Sequence, residues 1–216
     1  MTETRGISIS TLTFAWAIIL AAAFVFDRPV AVWVRDDVPI IKNDRHPLVF
    51  HVLQRKYRVD RAHLILETLK LPGWFPFTLG VATLLAIFHR RHLAAALPLA
   101  LSGILVGFLY SVIKWIAGRH RPVKGVDPWG FHPFPHGISG IWREQALCFP
   151  SGHASLSFAS ATCLAMVLPR WRAVFFCIAF ITCGERVLEN AHYLSDVVAG
   201  AGMGALCGWW ISRTIL

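Results

Sequence analysis

The sequence predicts an all-α fold: an integral-membrane six-helix bundle, one domain over residues 1–216, with its functional site at one membrane face. Three observations predict it. Of the 216 residues 56% are hydrophobic and 15% charged, whereas soluble domains run at about 45–50% and roughly 25%. The mean hydropathy is +0.55. The apolar residues also fall into blocks of span length, a bilayer core of about 30 Å needing roughly 20 helical residues. A disordered chain and an ordinary water-soluble core are both excluded. The formal charge of +9 would suggest nucleic acid in a soluble protein. In a membrane protein it serves anionic lipid and loop orientation, so the bilayer is an expected partner and nucleic acid is not. Oligomeric state stays open.

The first predicted span, 7–26, carries no charge. A secretory signal is the alternative, because Ala21, Ala22 and Ala23 supply small residues. The apolar run continues through Phe26, however, past the usual h-region of about 7–15 residues. The connection 27–70 follows, with nine Lys/Arg against six Asp/Glu. Within it, 48–69 mixes apolar residues with Arg55, Lys56, Arg58 and Arg61, as expected of a helix lying on the membrane surface or of a solvated connector. Spans 71–88 and 93–116 are joined by the basic run from His89 to His92. The connection 123–149 holds Trp129, Phe131, Phe134 and Trp142 among Pro128, Pro133 and Pro135, which suits the membrane interface, as a lateral opening for a lipid tail or as a lid without substrate contact. Spans 153–168 and 171–188 are joined through Pro169 and Arg170, and 194–211 is the last. Short basic connections favour the cytoplasm, which turns the longer ones toward the periplasm or exterior. The basic excess of 27–70 argues the other way. The five cysteines, Cys148, Cys163, Cys177, Cys183 and Cys207, lack metal-ligand spacing and are read as small core residues.

Ionisable groups at membrane depth are costly and mark function. Lys114, near the end of the third span, is followed by Arg119 and by Arg121-Pro122. On an unbroken helix Lys114 and Arg121 share a face, and Pro122 predicts that the helix ends near Arg121. Such cations are either snorkelling anchors or the floor of an anion site. Next, Pro150, Ser151, Gly152 and His153 precede the fourth span. Ser151 is a good N-cap, and a helix N-terminus offers free N–H groups to an anion; a plain capped helix is the other reading. Last come Arg186, His192 and Asp196. His192 and Asp196 are four apart, so the carboxylate can accept from one imidazole nitrogen and leave the other as nucleophile or base, unless the pair is merely structural. Gly200, Gly204 and Gly208 then repeat every four residues, a spacing for close helix packing.

Counting spans puts all three clusters on the same membrane face. Strong cations and aimed N–H donors are what a phosphoryl group requires as charge spreads over its oxygens. No metal and no cofactor are expected, because the fixed cations would repel a divalent ion and one Asp with two His is a thin ligand set.

Lys114, six residues, Arg121-Pro122; Pro150-Ser151-Gly152-His153; and Arg186, five residues, His192, three residues, Asp196 resemble the three signature motifs of the type 2 phosphatidic acid phosphatase family. These are membrane lipid phosphatases that share their site with vanadium haloperoxidases and bacterial acid phosphatases. The resemblance implies metal-independent hydrolysis through a phosphohistidine. His192 would be the nucleophile, Asp196 its support and His153 the acid and then the base. Lys114, Arg121, Arg186, Ser151 and the Gly152 N–H would hold the phosphate. It implies a phosphorylated lipid substrate, the candidates being phosphatidylglycerophosphate, undecaprenyl pyrophosphate, phosphatidic acid and lipid A 1-phosphate, and a place in a bacterial inner membrane with the site facing the periplasm. A lipid phosphotransferase and a non-catalytic anionic-lipid binding or transport protein are the alternatives. One departure stands out: Glu185 occupies the position where the family usually has Ser. A carboxylate there repels substrate unless it turns away or pairs with a cation such as Arg119.

Overall fold

The computed structural model describes residues 9–38, 68–88, 93–122, 127–135, 137 and 146–216. Among these are six α-helices: α1 (Ile9–Asp37), α2 (Phe75–Phe88), α3 (Leu93–Ala117), α4 (Gly152–Val167), α5 (Arg172–Leu188) and α6 (Leu194–Ile215). The described residues form no β-strand, only two isolated bridges, Arg119 with Phe131 and His120 with Leu147. The helix expected over 48–69 lies outside the described residues, apart from its last two positions. So do 123–126, 136 and 138–145 of the aromatic connection, Trp142 among them, whereas Trp129, Phe131 and Phe134 are described.

Among the described residues three helices are long and apolar enough to cross a membrane: Ser10–Asp37, Ala96–Ala117 and Leu194–Ile215. Two shorter apolar helices, Phe75–Leu84 and Gly152–Val167, fill the bundle between them. The chain presents apolar side chains outward, with Phe14 70%, Phe108 66% and Phe180 65% exposed, while Asp27, Arg119, Glu185, His192 and Asp196 are buried. Lipid is the solvent for such a surface, so the interior need not be the more apolar side.

α4 is the centre, packed on α6, α5 and α3; α2 leans on α3, and α1 on α6. The α4–α6 contact is close because of the four-residue glycine repeat. A Cβ at Gly200 would come within 2.5 Å of the Ser151 carbonyl oxygen, at Gly204 within 2.0 Å of that of Ser155, and at Gly208 within 2.6 Å of that of Ala159. One turn of α6 therefore sits directly on each successive turn of the α4 backbone, fixing the height of the α6 N-terminus against that of α4.

Two boundaries differ from the sequence reading in ways that bear on the site. α1 runs eleven residues beyond Phe26, to Asp37, so Asp27 is a buried helical residue and not the first residue of a loop. Its cost is met by a partner from another element, described below. α3 ends at Ala117 rather than near Arg121. Gly118 takes a left-handed φ of +60°, and a Cβ there would strike the His132 carbonyl oxygen at 1.7 Å. The glycine, not Pro122, stops the helix. All five cysteines are free; Cys148, Cys163 and Cys183 are buried, but Cys177 is exposed on α5 and Cys207 partly so, so the core reading does not hold for Cys177.

Candidate phosphate site

Each part of the site is held by a chain reversal. Beyond Gly118 the backbone runs extended, with Cys148 N–H donating to Arg119 O (2.8 Å) and Arg121 N–H to Ala146 O (3.3 Å). Lys114, on the last turn of α3, and Arg121, on the extended segment, are therefore presented from two backbone conformations, one helical and one extended. Ser151 caps α4, its Oγ accepting from Ala154 N–H, and its own N–H donates to Asp196 O at 2.9 Å. At the end of α5, Ala191 N–H donates to Arg186 O (3.2 Å), and the Asn190 amide donates to Pro122 O (3.0 Å). That last bond ties the turn carrying His192 to the segment carrying Arg121.

The sequence-predicted residues come together. His192, 3% exposed, is near enough to Asp196, Arg121 and Lys114 to feel their charges, and His153 likewise feels Arg186, His192 and Lys114. Lys114 Nζ lies 5.1 Å from the centre of the Tyr110 ring, and a Cβ at Gly152 would meet that same ring at 3.2 Å. A side chain at 152 would thus wedge α4 away from α3 beneath the lysine. Arg121 Nε and His192 Nδ1 are buried without a hydrogen-bond partner, an arrangement that costs free energy and is kept where a ligand or a reaction uses the group. Burial, then the Arg186 charge, hold the Arg121 guanidinium below its ordinary value. Burial likewise pushes His192 down to about 4, with Asp196 opposing and Arg121 and Lys114 reinforcing. The imidazole is neutral at pH 7, the state in which it carries a lone pair. Among the described residues no three His, Cys, Asp or Glu side chains converge as metal ligands.

Two expected contacts are made otherwise. Asp196 Oδ2 stands 3.6 Å from His192 Nδ1, a close approach and not a hydrogen bond; that oxygen accepts from Tyr193 N–H at 2.8 Å. Glu185 pairs not with Arg119 but with Arg186, through both carboxylate oxygens, and Glu189 binds the same guanidinium. The carboxylate is adjacent to its arginine in sequence and reaches it without leaving the helix.

Arg119 is the residue whose place sequence reasoning missed. Fully buried, it donates to Asp196 Oδ1, to Asp27 Oδ2 at 2.6 Å, to Ser195 Oγ at 2.7 Å and twice to Pro128 O, at 2.9 and 2.7 Å. These acceptors take up all five guanidinium N–H groups. Rings of Tyr193, Phe131, Phe24 and Phe149 surround it, with centroids 4.2 to 6.0 Å away. Asp27 closes the arrangement, its Oδ1 accepting from Ser195 N–H at 2.8 Å and its Oδ2 from Ser195 Oγ. The available signal was one acid, Asp27, directly abutting an uncharged apolar run. Lys70 is a further addition: its charge reaches His153, because Gly73 packs so closely that a Cβ there would lie 2.6 Å from the His153 carbonyl oxygen.

Known proteins match the part of the chain that carries these residues. The sequence model of the PAP2 superfamily matches residues 95–216, the stretch from α3 to the end. Lipid A 1-phosphatase of Rhizobium etli is 35% identical over 115 residues, covering 52% of this chain and 46% of that protein. The protein of that name from Rhizobium johnstonii is 36% identical over 104 residues, 47% of this chain and 40% of its own. Probable lipid phosphate phosphatase 4 of Arabidopsis thaliana is 35% identical over 143 residues, 55% and 46% respectively. The chain spans about half the length of the curated relatives it matches. No solved structure matches it. Since the matching region takes in more than half of the sequence and every motif residue from Lys114 to Asp196, the chain belongs to the PAP2 superfamily.

Proposed function

We propose that this chain is a membrane-embedded lipid phosphatase that cleaves a phosphate monoester or pyrophosphate through a phosphohistidine on His192, residues 1–216 acting as one unit. The carrying observation is the convergence of Lys114, Arg121 and Arg186 on two histidines, one buried, neutral and beside a carboxylate. The cations and the Gly152 N–H, with Ser151, take the phosphate oxygens. His192 Nε2 attacks phosphorus in line; the P–N bond forms as the P–O bond to the lipid breaks, and His153 gives its proton to the leaving oxygen. Asp196 stabilises the resulting imidazolium, its 3.6 Å approach shortening as charge develops, since catalytic contacts are commonly long in the empty site. His153, now neutral, takes a proton from water; the new P–O bond forms, P–N breaks, and inorganic phosphate leaves.

Hydrocarbon has a place beside this chemistry. An apolar cavity of about 200 Å³ opens between α2, α4 and α5, lined by Pro72, Phe77, Leu99, Ser157 and Leu164 among others. Ser157 is one turn beyond His153 on α4, which favours a lipid over a soluble ester. The names of the bacterial relatives favour lipid A 1-phosphate over phosphatidylglycerophosphate, undecaprenyl pyrophosphate and phosphatidic acid, and the proposed location is a bacterial inner membrane with the site toward the periplasm.

The test is phosphate release from these four lipids by purified protein in mixed micelles, with and without chelator. Release from at least one, unaffected by chelator, is expected. A phosphotransferase instead yields a newly phosphorylated acceptor lipid, and a binding or transport protein retains lipid with no release at all; either result replaces the proposal.

A further inference from the structure

The Arg119 node spans two parts of the chain that the family match separates: Asp27 lies on α1, outside residues 95–216, and Asp196 lies inside them. Through one guanidinium the first helix touches the carboxylate that faces the nucleophile. Resting on the phosphohistidine reading, we infer that Asp27 is a positioning residue for the reaction, which acts through Arg119 to keep the charge of Asp196 available to His192.

The coupling is electrostatic. Asp196 sits between a cation and an imidazole, Arg119 on Oδ1 and His192 near Oδ2. Arg119 fixes the carboxylate, but its positive charge also opposes the imidazolium that forms when His192 bonds to phosphorus. Asp27, 2.6 Å from the far side of the same guanidinium, offsets that charge. Asp27, Arg119 and Asp196 together then carry one net negative charge, and the reacting histidine faces it. Replace Asp27 by Asn and the remaining pair is neutral. Water cannot substitute, because all three side chains have 0% exposure. Ser195 holds the trio in register, with its backbone N–H and hydroxyl on Asp27 and its oxygen accepting from Arg119. Pro128 O and the four surrounding rings leave the guanidinium no other position. Asp27 touches neither the phosphate site nor the histidines, which separates this role from binding.

That separation supplies the test. Asp27→Asn keeps the shape and removes the charge. In full-length protein in detergent, kcat should fall by about tenfold or more while KM stays within about threefold, the pattern of a contact that matters only in the transition state. Orthovanadate, which bonds to the nucleophilic nitrogen, should bind about tenfold or more weakly. Inorganic phosphate, held by the cations alone, should be affected by less than about threefold. A damaged fold weakens both anions alike, so parallel losses, or an unchanged kcat, overturn the inference. Should Asp27→Asn fail to give monodisperse protein, Ser195→Ala carries the test. Loss of that hydroxyl from Asp27 predicts the same split between vanadate and phosphate at about threefold, and no split overturns the inference. His192→Ala, run alongside, reports on the underlying reading: retained turnover there defeats the phosphohistidine itself, whatever Asp27→Asn does.

Discussion

His192 gains its readiness from burial. The imidazole, pushed down to about 4 by loss of solvent and by the Arg121 and Lys114 charges, is protonated only below that pH. An attack by its lone pair is therefore lost as pH falls through about 4, not through the ordinary imidazole range near 6.5. The acid limb of kcat/KM, which reports the free protein, should lie near pH 4 after allowance for the substrate's own phosphate ionisation. A limb at 6 to 7 traced to His192 contradicts the burial. Glu185 is the second residue with a readable consequence. With Glu189 it occupies the guanidinium of Arg186, so an incoming phosphate competes with two carboxylates. Glu185→Gln should strengthen inhibition by inorganic phosphate by about tenfold, equivalent to roughly 1.4 kcal/mol; an unchanged or weaker inhibition constant would mean that the carboxylate does not compete. Both residues were visible in the sequence, as was Asp196 beside His192, but the partner of Glu185 was not. Which cation Glu185 meets depends on rotamers within one helical turn, and the 3.6 Å gap at Asp196 depends on a tyrosine N–H that no pattern of residue types announces.

Helices were legible where composition alone decides them. The six apolar blocks correspond to the six helices of the described residues, with ends off by at most four residues except at α1. The exception has a physical cause. A charge is read as the end of an apolar span, yet Asp27 remains inside one because Arg119 neutralises it from 92 positions away. The glycine repeat was legible as well, since its four-residue period needs no tertiary information. It makes a sharp prediction. A Cβ at Gly204 would lie 2.0 Å from a backbone oxygen that cannot swing aside, whereas at Gly184 on α5 nothing lies within 4 Å. Gly204→Ala should therefore cost about 1–3 kcal/mol by overpacking, seen as a lowered thermal midpoint in detergent. Gly184→Ala should be neutral or slightly stabilising. Equal midpoints for the two variants contradict the α4–α6 contact described here.

At the scale of the whole molecule, six helices bring the end of α3, the start of α4 and the turn between α5 and α6 together, and the charges gathered there make sense only together. The sequence motifs told which residues would meet, because their order and spacing carry the family pattern. They were silent about α1, which lies outside that pattern and reaches the site through one buried arginine. The apolar cavity reached at Ser157, one turn beyond His153, was equally hidden, since it is lined by ordinary helix-packing residues. The proposed function turns on a covalent bond between phosphorus and one imidazole. Rapid acid-free quenching of the purified protein with a lipid labelled in its phosphate tests that bond directly. The label should appear on the protein within one turnover, survive alkali, be lost in mild acid, and be absent from His192→Ala. Steady turnover by the native protein with no such label at any quench time, or label and turnover persisting in His192→Ala, would contradict the account.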